Sequence, residues 1–171
     1  MPDTGFPCSA DADARLLILG SMPGQKSLAE QQYYAHPRNA FWPIIGALLD
    51  IDPALPYRQR LELLRSRRVA LWDVAHQCVR PGSMDHAIEP DSVVANDFAA
   101  FFAAHPAIRA ICFNGRKAQE LYRRLVQPHL PEPYNAIAQH LLPSTSPANA
   151  GMTQARKLAA WQIILAPLES G

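Results

Sequence analysis

The sequence predicts an α/β fold: a three-layer α/β/α sandwich around a central, mainly parallel, four-stranded sheet. Two observations carry this. Short apolar runs alternate with longer segments of helical period, the pattern of strands joined by helices. Turn-forming clusters of Gly, Pro, Ser and Asn follow the apolar runs, as at Gly20-Ser21-Met22-Pro23-Gly24 and Pro143-Ser144-Thr145-Ser146-Pro147. With 171 residues, 49% of them apolar, the chain fits one domain spanning 1–171 with a sizeable core.

The elements follow in order. Residues 1–14 read as an irregular segment and 15–20 as a buried strand. Residues 40–50 predict a helix, because Phe41, Ile44, Ile45 and Leu48 fall on one face. Pro53 and Pro56 close it, and a second helix covers about 57–66. Residues 69–74 form the second strand. Pro90 and Asp91 are expected to open a helix through Phe98, Phe101 and Phe102, ending near His105-Pro106. The third strand covers 108–113, and after Asn114-Gly115 a helix covers about 116–126. Residues 136–142 form the fourth strand, and the last helix covers about 153–165. In parallel sheets ligands gather beyond the carboxyl ends of the strands. The loops after Leu19, Trp72, Phe113 and Leu142 all lie there, so one site is expected where they converge.

Composition excludes several classes. No apolar run approaches the roughly 20 residues of a membrane span. The first 14 residues lack the basic-then-apolar order of a signal peptide, so a cytoplasmic location is the default expectation. Cys8, Cys78 and Cys112 are odd in number and lack C-x-x-C spacing. They read as reduced, mostly buried thiols rather than a disulfide framework or an iron–sulfur site. A net charge of +1 argues against nucleic-acid binding by bulk charge. It leaves room for a local basic rim from Arg65, Arg67 and Arg68, or from Arg116, Lys117, Arg123 and Arg124.

Four chemistries compete at the strand ends. Residues 20–27 read G-S-M-P-G-Q-K-S, one residue short of a phosphate-binding loop. Gln25 replaces the second Gly, and Pro23 removes an N–H from the cradle. Ser144 or Ser146 lacks the G-x-S-x-G setting of a hydrolase nucleophile. His76, Cys78 and His86 match no standard zinc spacing, and neither a metal nor a cofactor is expected. Cleavage at a flipped base accommodates more features together. A base extruded from duplex DNA needs an aromatic face, polar groups for its edge and a rigid loop. Tyr33 or Tyr34 supplies the face, Asn39, Asp73 and Asn114 the polar groups, and 143–147 the loop.

These residues resemble the uracil-DNA glycosylase superfamily. Gly20-Ser21-Met22-Pro23-Gly24 resembles its first motif, G-x-x-P-G after a strand, and Leu142-Pro143-Ser144-Thr145-Ser146-Pro147 its second, a loop that presses into the minor groove. Within the superfamily, Tyr33-Tyr34-Ala35-His36-Pro37-Arg38-Asn39-Ala40-Phe41-Trp42 is similar to the Y-Y-x-H-P-x-N-x-F-W of the hypoxanthine-DNA (deoxyinosine) glycosylases. So are Ala70-Leu71-Trp72-Asp73-Val74 with Arg80-Pro81-Gly82-Ser83, and Phe113-Asn114-Gly115-Arg116-Lys117-Ala118. The match covers about 15–165. The mismatch-specific uracil/thymine branch shares H-P-x-N-x-F-W and is the nearest competitor. Two departures stand out: Ser21 and Met22 occupy positions where many relatives orient the attacking water, and Leu142 stands where the best-known uracil enzymes have His, with His140 two residues earlier.

The resemblance implies a monofunctional DNA glycosylase that releases hypoxanthine from double-stranded DNA, working as a monomer and associated with the nucleoid when on DNA. It implies Asn39 as the catalytic residue, orienting either the water or the base. Tyr34 is expected to stack on the base and Asp73 to accept the N1–H of hypoxanthine, with Asn114, Ser21 and Met22 nearby in the base pocket. Gly20, Pro23, Gly24, Lys26, Arg38, Pro143, Ser144, Thr145, Ser146 and Pro147 are expected along the DNA. The alternative class is a module that binds damaged bases without cleaving them.

Overall fold

The structure, a computed structural model, describes residues 2–169. Its strands are β1 (Asp3–Thr4), β2 (Leu16–Gly20), β3 (Val69–Asp73), β4 (Ala75–Cys78), β5 (Val94–Ala95), β6 (Ala110–Asn114) and β7 (Ala138–Leu142). Its α-helices are α1 (Gln25–Glu30), α2 (Phe41–Leu49), α3 (Tyr57–Ser66), α4 (Phe98–Ala104), α5 (Arg116–Leu125), α6 (Gln154–Trp161) and α7 (Leu165–Leu168).

The central sheet has the order β3-β2-β6-β7, and all three pairings are parallel. Its strands sort their side chains to two faces by period two. Leu17, Leu19, Ala70, Ile111 and Phe113 meet Phe98, Phe101 and Phe102 of α4 and Ala118, Leu121 and Tyr122 of α5. Leu16, Ile18, Val69, Leu71 and Cys112 meet Phe41, Trp42, Ile44 and Ile45 of α2, Leu64 of α3 and Trp161 of α6. Helices therefore cover both faces, as the apolar runs predicted.

Several segments differ from the sequence reading; the last helix, expected over about 153–165, ends as α6 at Trp161 and gives way to a 3-10 turn, Gln162–Ile164, before α7. The helix expected to open at Pro90-Asp91 opens at α4, where the Asp97 carboxylate accepts the Ala100 N–H at 3.1 Å. Pro90–Ser92 makes only one 3-10 turn, because helical apolar period begins at Phe98. The segment expected to be irregular is packed: β1 pairs antiparallel with β4, which pairs with β5, in a small second sheet. Ser9 bridges Leu71 through two backbone bonds of 2.9 Å, which covers the outer edge of β3. Helix α1, polar and six residues long, had no sequence signal. The cysteines are free thiols; Cys78 and Cys112 are buried and Cys8 is partly so.

Candidate active site

The four parallel strands end together at Gly20, Asp73, Asn114 and Leu142. Their loops enclose a cleft of about 1170 Å³. A smaller hollow of about 280 Å³ lies beside Phe102, Ile108 and Tyr134, near the opposite end of β6, and gathers no comparable set of polar groups. Every residue expected in the base pocket or along the DNA borders the large cleft, although not every side chain faces it; of the two basic clusters only Arg116 does, and His76, Cys78 and His140 do not.

Gly20 and Asp73 are register partners, so the Asp73 carboxyl lies against the glycine. A Cβ at position 20 would stand 2.5 Å from Asp73 Oδ1 and 3.2 Å from the Tyr34 hydroxyl oxygen. Glycine is required there for that close approach. Asp73 is 4% exposed, and its Oδ2 has no hydrogen-bond partner among the described residues. Burial pushes its pKa up to about 7; the Arg80 charge opposes the rise and Asp85 adds to it.

Tyr34 sits in a left-handed conformation, φ 55°. Its ring stacks on Phe41, with centroids 4.1 Å apart and planes 20° apart. Its hydroxyl is buried without a partner among the described residues. Burial, then the nearby Asp73 charge, pushes its pKa well above the ordinary tyrosine value. Tyr33, the other candidate face, belongs to the core: its hydroxyl donates to the Pro7 carbonyl at 2.9 Å and its carbonyl accepts from Trp42 Nε1.

Asn39 lies just before α2. Its Oδ1 accepts the Phe41 N–H at 2.9 Å, closing the helix start from one residue further out than a regular cap. Its Nδ2 has no protein acceptor among the described residues, so the cleft meets a donor.

The loop of 143–147 is held from three sides. Asn114 Oδ1 accepts the Thr145 N–H at 2.9 Å, and Asn114 Nδ2 donates to Thr145 Oγ1 at 3.0 Å. The Thr145 carbonyl accepts the Ala40 N–H at 3.0 Å. From α6, Trp161 Nε1 donates to the Pro143 carbonyl at 2.9 Å and Lys157 reaches the Ser146 carbonyl at 3.5 Å. The Thr145 side chain, 1% exposed, is therefore turned inward, and the Asn114 amide is oriented by it at the edge of the cleft. Ser144 and Ser146 differ: each hydroxyl oxygen accepts the N–H two residues on, at 3.1 and 3.2 Å, which leaves its proton available.

The first loop departs from the expected roles. Met22 is buried in the core cluster that holds Leu19, Val74 and Phe98, at the edge of the cleft. Ser21 donates its hydroxyl to Asp85 at 2.6 Å. Arg80, its side chain 1% exposed, pairs with Asp3 at 3.1 Å and donates to the carbonyls of Met22 and Pro23. Arg80 and Asp85 were not singled out as site residues. The run Arg80-Pro81-Gly82-Ser83 marked the place, but periodicity carries no sign of a side chain reaching back across the cleft. Lys26 pairs with Glu30 at 3.0 Å and stays half exposed; Arg38 and Arg116 are exposed at the rim. Pro23 is buried and Pro143 half-buried, their carbonyls held by Arg80 and Trp161, while Gly24 is open, with nothing within 4 Å of a Cβ there.

Known proteins resemble this chain in sequence and in fold. Residues 7–165 match the family model of the uracil DNA glycosylase superfamily. A hypoxanthine DNA glycosylase of Methanosarcina acetivorans is 37% identical over 161 residues, covering 94% of this chain and 96% of that protein. One from Methanosarcina barkeri is 36% identical over 121 residues, covering 70% of this chain and 75% of that protein. The solution NMR structure of a candidate uracil DNA glycosylase from Methanosarcina acetivorans superposes with a TM-score of 0.82 at 35% identity, covering 99% of this chain and all of that one.

Proposed function

The chain belongs to the uracil DNA glycosylase superfamily, and on that premise we propose that it is a DNA glycosylase for deaminated bases whose chief substrate is hypoxanthine in double-stranded DNA. The single observation that carries the choice of base is Asp73: a buried carboxyl at the end of β3 with no protein partner for Oδ2 among the described residues. An unpaired polar group so placed is costly unless a ligand completes it. The N1–H of hypoxanthine is a donor where adenine has an acceptor, so an Asp73 carboxylate pairs with the deaminated base and rejects the normal one.

Cleavage passes through a sugar with oxocarbenium character and a departing base that gathers negative charge. A donor fixed in advance beside that base stabilises the charge without reorganising. Asn39 is such a donor, because Phe41 holds its Oδ1 and thereby directs Nδ2 to the cleft. Tyr34, braced against Phe41, offers its remaining face for stacking on the base. Ser144 and Ser146 have hydroxyl protons for phosphate oxygens, and Pro147 borders the same edge. Lys26, Arg38 and Gly24 also border the cleft, where a DNA backbone would run. Lys26 is the lysine of the cleft and is paired with Glu30, which favours hydrolysis by water over a Schiff base.

The same reading takes residues 1–171 as one domain acting as a monomer, in the cytoplasm and on the nucleoid. No helix among the described residues is long and apolar enough to cross a membrane. The test is base release from duplexes that each hold one deoxyinosine, one deoxyuridine or one G·T pair, scored by alkaline cleavage at abasic sites. Release from the deoxyinosine duplex supports the proposal. Tight binding with no release from any duplex assigns the chain to base recognition without cleavage.

A further inference from the structure

Water that attacks the sugar needs an acceptor for its proton and a negative charge near the cationic carbon. The cleft offers few groups of that kind. Asn39 Oδ1 is held by Phe41, and Asn114 Oδ1 is held by Thr145. Asp73 lies deep against Gly20, where the base edge is read. Asp85 is the second carboxylate bordering the cleft and is exposed at its mouth.

We propose that Asp85 is a catalytic carboxylate of this site, holding the attacking water and facing the positively charged sugar. The proposal rests on the glycosylase reading above. Ser21, buried at the end of β2, donates to Asp85 Oδ1 at 2.6 Å, while Oδ2 has no protein partner among the described residues. A charge-assisted bond of that length fixes the carboxylate's direction. The segment that bears Asp85 is itself anchored. Arg80, five residues earlier, is buried, paired with Asp3 and bonded to the carbonyls of Met22 and Pro23. The wall made by 80–85 is thus tied to the loop of 20–24 at both of its ends. Two carboxylates in one site, one deep and one at the mouth, suit two roles. Asp73 meets the base, and Asp85 meets the sugar.

The step balances as follows. The C1′–N9 bond breaks and its electron pair leaves with the base. The water oxygen forms the new bond to C1′, and its proton passes to Asp85 and then to solvent. The departing base anion takes a proton from solvent. The products are an abasic sugar and neutral hypoxanthine.

Asp85→Asn keeps an acceptor for Ser21 and removes the charge, and its exposed position spares the fold. The expected result is a single-turnover rate of hypoxanthine release lowered roughly a hundredfold or more, the usual contribution of a general base. Affinity for a duplex carrying 2′-fluoro-deoxyinosine, whose electron-poor sugar resists cleavage, should stay near that of the wild type. Ser21→Ala should give a smaller fall in rate, because it frees the carboxylate without removing it. Asp85→Asn cleaving at the wild-type rate overturns the proposal and leaves the glycosylase reading intact. A rate loss fully matched by weaker binding to the fluorinated duplex also overturns it, because Asp85 is then a binding residue. No release of hypoxanthine by the wild-type protein overturns the underlying reading, and the proposal with it.

Discussion

Replacing Asp73 by Asn should stabilise the protein at alkaline pH and remove a step from its pH–rate profile. The raised pKa means that the folded state holds this proton more tightly than the unfolded chain. Below the ordinary carboxyl value of 3.8 the group is neutral in both states and has no effect. As pH rises from there, the unfolded chain ionises first, and stability falls until the folded pKa of about 7 is passed. At 1.36 kcal/mol per pKa unit, the carboxylate destabilises the fold by roughly 4 kcal/mol above that point. Around pH 5 less than half of it has developed. Urea unfolding should therefore show Asp73→Asn gaining about 2–3 kcal/mol more, relative to the wild type, at pH 8 than at pH 5. The same ionisation creates the acceptor for N1–H. Single-turnover release of hypoxanthine by the wild type should rise about tenfold between pH 6 and pH 8. The asparagine variant, whose amide oxygen accepts at every pH, should lose that rise. Equal stability differences at both pH values, with the rise retained in the variant, would refute the assignment of Asp73.

Two other substitutions test the rest of the cleft. Asn39→Ala should lower the single-turnover rate roughly a hundredfold, as expected for loss of a preorganised donor, while losing only about 1 kcal/mol of stability with the Phe41 contact. Asn39→Asp retains the contact to Phe41 but loses the donor, so it should unfold like the wild type and cleave poorly; a fast Asp variant would sink the donor role. Ser144→Ala with Ser146→Ala should raise the dissociation constant for lesion duplex by roughly tenfold per hydroxyl at fixed salt, measured by fluorescence anisotropy. An unchanged constant would count against phosphate contacts from this loop.

Three strands of the sheet were legible because they are buried on both faces and so read as apolar runs: Leu16 to Leu19, Val69 to Leu71 and Ala110 to Phe113 are all buried. Helices α2 and α3 were legible from apolar period and flanking prolines. Helix α1 was not, because six polar-rich residues give no period, and β4 was not, because Ala-His-Gln-Cys resembles no strand pattern. The place of the site followed from topology, since parallel strands bring their carboxyl ends together whatever the side chains. Directions within the loops did not follow. Met22 turns into the core and Thr145 into the Asn114 clamp, and no periodicity governs single loop residues. Asp85 reaches Ser21 across 64 residues of chain, a contact visible only once the small antiparallel sheet had placed the segment of 79–93 over the cleft.

The most direct test of the central claim compares bases in one sequence context. Duplexes identical except for a single deoxyinosine or deoxyuridine are incubated with excess protein at pH 8, and the released base is followed in a single turnover. The account predicts that hypoxanthine leaves faster than uracil, because the buried Asp73 carboxyl is placed for the N1–H of the purine and the Asn39 amide for its departing charge. Uracil leaving as fast as hypoxanthine, or faster, would contradict it and assign the chain to the mismatch-uracil branch.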